Sequence, residues 1–162
     1  MSEMLTRPAV EQLLRQTAQE VLETMFFVTL DRDAVHAPGG GRRLWFQVHF
    51  RGSPPGTFQL GLPAAASGEI ASAFLGVASE DDLADHEAEN VLLELTNVIC
   101  GNTLSRLESG SSFDLEAPIP IPDPGPARPS GTTWCLVPMD LGIMELRLAL
   151  ESVGQALSPA KP

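Results

Sequence analysis

Apolar residues recur every three or four positions from Val10 to Met25, at Val10, Leu13, Leu14, Ala18, Val21, Leu22 and Met25. Glu11, Arg15, Gln19 and Glu20 make the wet side between them. That is the period of an amphipathic helix. Pro8 suits its first turn, and Thr6 is a candidate cap. Phe26-Phe27-Val28-Thr29-Leu30 is too short for another helix and reads as a first strand. After a loop over 31–43 the period changes to two. Leu44, Phe46, Val48 and Phe50 alternate with Trp45, Gln47 and His49, as in a half-buried strand. Gly52-Ser53-Pro54-Pro55-Gly56 connects it to a second strand marked by Phe58, Leu60 and Leu62, which predicts an antiparallel pair.

Pro63 to Gly76 reads as a short helix with Ile70, Phe74 and Leu75 apolar. A long helix is expected from Asp81 or Asp82 to about Glu108, its acidic start favoured by the helix dipole. Val91, Leu92, Leu95, Val98, Ile99, Leu104 and Leu107 form its apolar stripe. Gly101 interrupts it at a cost of about 1 kcal/mol relative to alanine, which suggests close packing or close approach by another molecule. A strand starts at Phe113 and Leu115 after a turn at Gly110. Six prolines between Pro118 and Pro129 exclude a central strand there and predict an edge segment followed by an extended loop. Trp134 to Val137 is a further strand. Gly142 to Leu150 is the last, with Met144, Leu146, Leu148 and Leu150 facing in and Glu145, Arg147 and Glu151 facing out. This order argues for an α/β (α+β) domain with a mixed or antiparallel sheet, and against a doubly wound nucleotide fold. Residues 1–157 are expected to form one domain, and 158–162 a flexible tail.

The chain has 162 residues, 43% of them hydrophobic, enough for a core without staples. Its net charge of −11 disfavours nucleic acid, whose phosphates demand basic patches. Two cysteines, Cys100 and Cys135, make no disulfide framework, and Cys100 lies in an apolar run. No leader pattern or membrane-length apolar run is evident, so a cytoplasmic protein off the membrane is expected. His36, His49 and His86 do not combine with the cysteines at a zinc spacing, and no bound metal or cofactor is expected.

Candidate chemistry concentrates in Glu94-Leu95-Thr96-Asn97-Val98-Ile99-Cys100-Gly101-Asn102. Glu94 and Asn97 are three residues apart, so both polar heads share one side of the helix about one turn apart. A carboxylate accepts charge-assisted bonds, whereas a carboxamide donates and accepts at once. A hydrolytic site that orients water beside a phosphoryl group needs that combination. On composition alone the same pair fits a solvated helix face, because Glu-x-x-Asn is short. Glu87 and Asn90 repeat the spacing one heptad earlier, as a surface coincidence or a docking extension. Asp81, Asp82, Asp85, Glu87 and Glu89 make the approach acidic, which solvates a helix start or steers a basic partner.

The arrangement Glu94-x-x-Asn97, then Gly101-Asn102, a hydrophobic helix end with Leu104 and Leu107, and a strand reaching Pro118 resembles the CheX-like members of the CheC/CheX/FliY chemotaxis phosphatase family. The resemblance is strongest over about residues 83–121. It implies a CheC/CheX-like domain whose long motif-bearing helix packs on the sheet. It also implies an activity: removal of phosphate from the aspartyl phosphate of a CheY-like response regulator in chemotaxis or related two-component signalling. Glu94 would engage the regulator's active-site lysine, and Asn97 would orient water. Magnesium would sit in the regulator. Asn90 stands where the family often has aspartate or serine, four residues before the glutamate, and is a doubtful support. The first helix lacks a second Glu-x-x-Asn, which favours the CheX branch and its homodimer. A non-catalytic receiver-binding adaptor and a flagellar-switch structural component remain alternatives.

Overall fold

The computed structural model describes residues 6–31, 41–84, 86–107 and 112–151. The expected tail 158–162, most of the 31–43 loop with His36, Asp85, and the turn at Gly110 lie outside them. Helix α1 spans Arg7–Thr24. Its cap is Thr6, whose hydroxyl accepts the Ala9 N–H at 3.2 Å, with proline in the first turn. Strands β1 (Arg43–Arg51) and β2 (Gly56–Pro63) precede helix α2 (Ser67–Leu75) and helix α3 (Glu87–Leu107). Two short pairing segments, β3 (Asp114–Leu115) and β4 (Ile119–Ile121), come before β5 (Thr132–Met139) and β6 (Gly142–Leu150).

Every described strand pairing is antiparallel, in the order β3-β1-β2-β6-β5, with β4 on the same edge of β1 as β3. The register lines Phe46, Leu60, Leu146 and Cys135 across the sheet in one row. All four are buried, and their neighbours on the same face, Val48, Phe58, Leu148 and Val137, join the same core. The helices cover that face, with α3 packed against α1, α2 and β1. The result is two layers around one core, the arrangement a sheet with one apolar face requires. The architecture is the expected α+β one: a long helix on a largely antiparallel sheet.

Three expectations are corrected. Phe26 to Leu30 is not a strand. The chain instead ends α1 through a left-handed Phe27 (φ 57°), and the Val28 N–H returns to the Leu22 carbonyl at 2.8 Å. Apolar content misled here, because these residues have no strand partner beyond a single bridge from Leu30 to Met139. Phe26 is apolar because it stacks on Phe74 with ring centroids 4.4 Å apart.

The long helix does not begin at Asp81. Glu80–Asp82 form a single 3-10 turn capped by Ser79, Leu83 is extended, and His86 is left-handed (φ 70°). Only then does α3 start, with the Glu87 carboxylate accepting the Ala84 N–H at 2.6 Å.

Glu145 and Arg147 point away from the helices, as alternation demands, yet they do not face solvent. They are only 4% and 3% exposed. The proline-rich segment crosses over that face. The Arg147 guanidinium donates to the Gly125 carbonyl at 2.7 Å and to that of Ala127 at 3.4 Å. Glu145 accepts from the Nε of Arg147 at 2.8 Å and of Arg128 at 2.9 Å. Trp45 is buried in the same layer, flat against Gly61, where any Cβ would collide with the indole.

Candidate functional site

Helix α3 presents the candidate residues because its burial is one-sided. Val91, Leu92, Leu95, Thr96, Ile99, Cys100, Thr103, Leu104 and Leu107 are buried. Thr96 and Thr103 tolerate this position because each hydroxyl donates to the carbonyl four residues back, at 2.7 Å. Positions 90, 94, 97 and 101 are successive steps of three and four residues, so they line the opposite stripe. Asn90 and Glu94 are exposed, and Asn97, Gly101 and Asn102 are half-buried. Among the described residues, the side chains of Glu94 and Asn97 have no hydrogen-bond or ion-pair partner. They are therefore open to a second molecule while their backbone is held by a packed helix.

The neighbours take different parts. Glu87 is engaged at the start of α3, where its carboxylate accepts the Ala84 N–H of the preceding turn and so already serves the local fold. Asn102 lies in the body of the helix and caps no turn among the described residues. Gly101 has room: an added Cβ would meet Leu115 Cδ2 at 3.8 Å, an ordinary contact. Packing within the chain does not demand glycine there. Cys100 is buried, and burial pushes its thiol up to about 12, so no thiolate nucleophile is available beside the pair. His86 is exposed on the left-handed turn before α3. Among the described residues no group of three or more His, Cys, Asp or Glu is placed to hold a metal ion. A groove of about 410 Å³ runs beside the first turns of α3, between Ala88, Glu89 and Leu92 on one side and Ile121 and Arg42 on the other.

A polar pair carried outward on a buried helix, over an antiparallel sheet, is the geometry against which known families can be compared. The family model for the chemotaxis phosphatase CheX matches residues 46–139, more than half of the chain. The chain belongs to the CheC/CheX/FliY chemotaxis phosphatase family. Its fold is similar to that of a chemotaxis protein CheX from Desulfovibrio desulfuricans, with 20% identity, 88% of this chain and 99% of that chain covered, and a TM-score of 0.66. It is likewise similar to the CheX–CheY–BeF3–Mg2+ complex from Borrelia burgdorferi, at 22% identity, 86% and 96% coverage and a TM-score of 0.62. CheX from Vibrio vulnificus aligns at 18% identity over 91% of this chain and all of that one, with a TM-score of 0.65. Among curated proteins none matches. Family membership carries a chemotaxis-phosphatase-like role in general terms. No helix among the described residues is long and apolar enough to cross a membrane.

Sequence reasoning missed the ionic layer in which the half-buried Arg43 and Arg128 flank the buried Glu145 and Arg147. The signal available was the proline-rich segment itself, which forms few backbone pairs and must be held by side chains.

Proposed function

We propose that this chain is a protein aspartyl-phosphate phosphatase acting on the receiver domain of a CheY-like response regulator, with Glu94 and Asn97 as its catalytic residues. The observation that carries this reading is the pairing of an exposed carboxylate with a carboxamide one turn on, both unpartnered among the described residues, on the outward stripe of α3. The CheX–CheY complex among its structural relatives supports a partner of that class.

The division of labour follows from the chemistry. The regulator supplies the phosphorylated aspartate and the magnesium that neutralises the phosphoryl oxygens. Glu94 forms a charge-assisted bond with the regulator's active-site lysine and so fixes the register of the two surfaces. Asn97 donates to and accepts from one water molecule and holds it in line with the phosphorus. The water oxygen forms the new bond to phosphorus, the bond to the aspartyl oxygen breaks, and aspartate and inorganic phosphate are left. No covalent intermediate on this chain is required, because phosphoryl transfer proceeds on positioning and electrostatics. The half-buried Gly101 lies one turn beyond Asn97, where a methyl group would stand between the helix and an approaching surface.

The test is loss of phosphate from a panel of phosphorylated receiver proteins, with magnesium and this chain at substoichiometric amount. Repeated turnover is expected. Glu94→Ala and Asn97→Ala should each slow it by about 10²-fold or more, as expected for lost positioning or transition-state stabilisation. Their stability should change by no more than about 0.5 kcal/mol, since both are surface positions. Binding without accelerated phosphate loss would replace the enzyme with a receiver-binding adaptor.

A further inference from the structure

We propose that the cavity lined by Phe27 is a docking site for another protein, one that inserts an apolar side chain flanked by lysine or arginine. Phe27 occupies the left-handed turn that ends α1, with φ 57°, and the residue is 65% exposed. Glycine is the ordinary residue at such a helix end, because a Cβ crowds the backbone there. A bulky side chain in that region is an outlier and strains the backbone, and such strain gathers at functional positions. The core does not ask for this ring. Its neighbour Phe26 supplies the buried one and stacks on Phe74. Phe27 therefore disfavours the fold twice, through its backbone and through its exposed apolar surface.

The cavity holds about 360 Å³, and Phe27 lines it with Val77, Ala78 and Leu141 and with two carboxylates, Glu69 and Asp140. That is room for a leucine or phenylalanine side chain. The Phe26–Phe74 stack brings the ends of α1 and α2 together, so Met25 and Leu75, 42% and 41% exposed, extend the apolar surface at that end of the molecule. An exposed apolar patch rimmed by charge marks an interaction site. Glu69 and Asp140 are exposed, and among the described residues neither carboxylate has a hydrogen-bond or ion-pair partner. None of the described residues lining the cavity is basic. Unpaired negative charge beside an apolar floor is complemented by a cation beside an apolar group. The same charge selects against other occupants. A second copy of this chain brings a net charge of −11, and an anionic lipid surface or a nucleic acid is repelled likewise. The site contains neither Glu94 nor Asn97 and does not depend on the phosphatase reading.

The experiment is fluorescence anisotropy of a labelled short peptide, a central leucine–phenylalanine pair between lysines, titrated with the whole chain at low salt. Saturable binding at one site per chain is expected. Exchanging the peptide's lysines for glutamates, or its central pair for alanines, should weaken binding about tenfold. Phe27→Gly should weaken it about tenfold as well, while its urea midpoint stays the same or rises, because glycine adopts the left-handed backbone freely. Glu69→Gln combined with Asp140→Asn should weaken it about threefold and flatten its salt dependence. No saturable binding of the lysine peptide up to about 1 mM would overturn the site. Unchanged affinity in Phe27→Gly would place the peptide elsewhere and overturn it equally. A lower urea midpoint for that variant would also overturn it, by giving the ring a duty in this chain's own fold. Self-association in sedimentation that Phe27→Gly abolishes would make the occupant a second copy and end the proposal.

Discussion

Glu94, Gly101 and Glu87 sit on the same helix, and each is governed by a different constraint. Glu94 is exposed and has no partner among the described residues, so its chemistry is free for a second molecule. Gly101 is the reverse of a packing glycine. With Leu115 Cδ2 3.8 Å from a would-be Cβ, Gly101→Ala should raise stability by about 0.5–1 kcal/mol through helix propensity, measured by urea unfolding. If an approaching receiver needs the space, the same variant should slow phosphate release while unfolding later. A loss of stability would show that Leu115 cannot give room. Glu87 carries a local duty that its repeat of the Glu-x-x-Asn spacing conceals. Removing its bond to the Ala84 N–H by Glu87→Ala should cost about 1 kcal/mol, and Glu87→Gln, which keeps an acceptor, should recover most of it. A docking role for Glu87 would appear as weaker receiver binding by both variants at equal folded fraction.

Among the elements, those with a clean period were legible from sequence. The stripe of α1 and the alternation of β1, β2 and β6 each mark the face that meets the other layer, so spacing suffices. The beginning of α3 was not legible, because Ser79 to His86 is acidic and helix-compatible residue by residue. The break lies in the left-handed backbone of His86, which composition does not encode. Phe26 to Leu30 failed for a related reason, since an apolar run specifies burial but not a strand partner. The proline-rich crossing was recognised as an edge and a loop, but not what it covers. Glu145 anchors it by balancing Arg128 and Arg147. Glu145→Ala should leave buried positive charge uncompensated and cost about 3–5 kcal/mol. Urea unfolding reads the loss, and faster proteolysis within 122–130 should accompany it. Unchanged stability would mean that the arginines reach solvent once their partner is gone.

For the molecule as a whole, two buried thiols make stability fall at alkaline pH. Burial pushes Cys100 and Cys135 from 9.0 up to about 12. The folded protein therefore keeps protons that the unfolded chain releases as pH rises above about 9. Stability from this source is fully present below pH 9 and is lost between 9 and about 12. The chain has no tyrosine and one lysine, Lys161, so few other groups titrate in that window. Urea midpoints across the range should fall with rising pH, and less steeply in a Cys100→Ala, Cys135→Ala double variant. An equal slope in the two proteins would assign the fall to other groups.

The sequence by itself determined the fold class, the elements with one-sided burial and the outward spacing of Glu94 and Asn97, because these depend on local periodicity. Its motif order was also enough to indicate the family. Only the tertiary structure decided that β6 is covered on both faces and that Gly101 has free space. Those facts depend on which distant segment comes to rest on a given side chain, and alternation along one strand or helix contains no information about its neighbour across the fold.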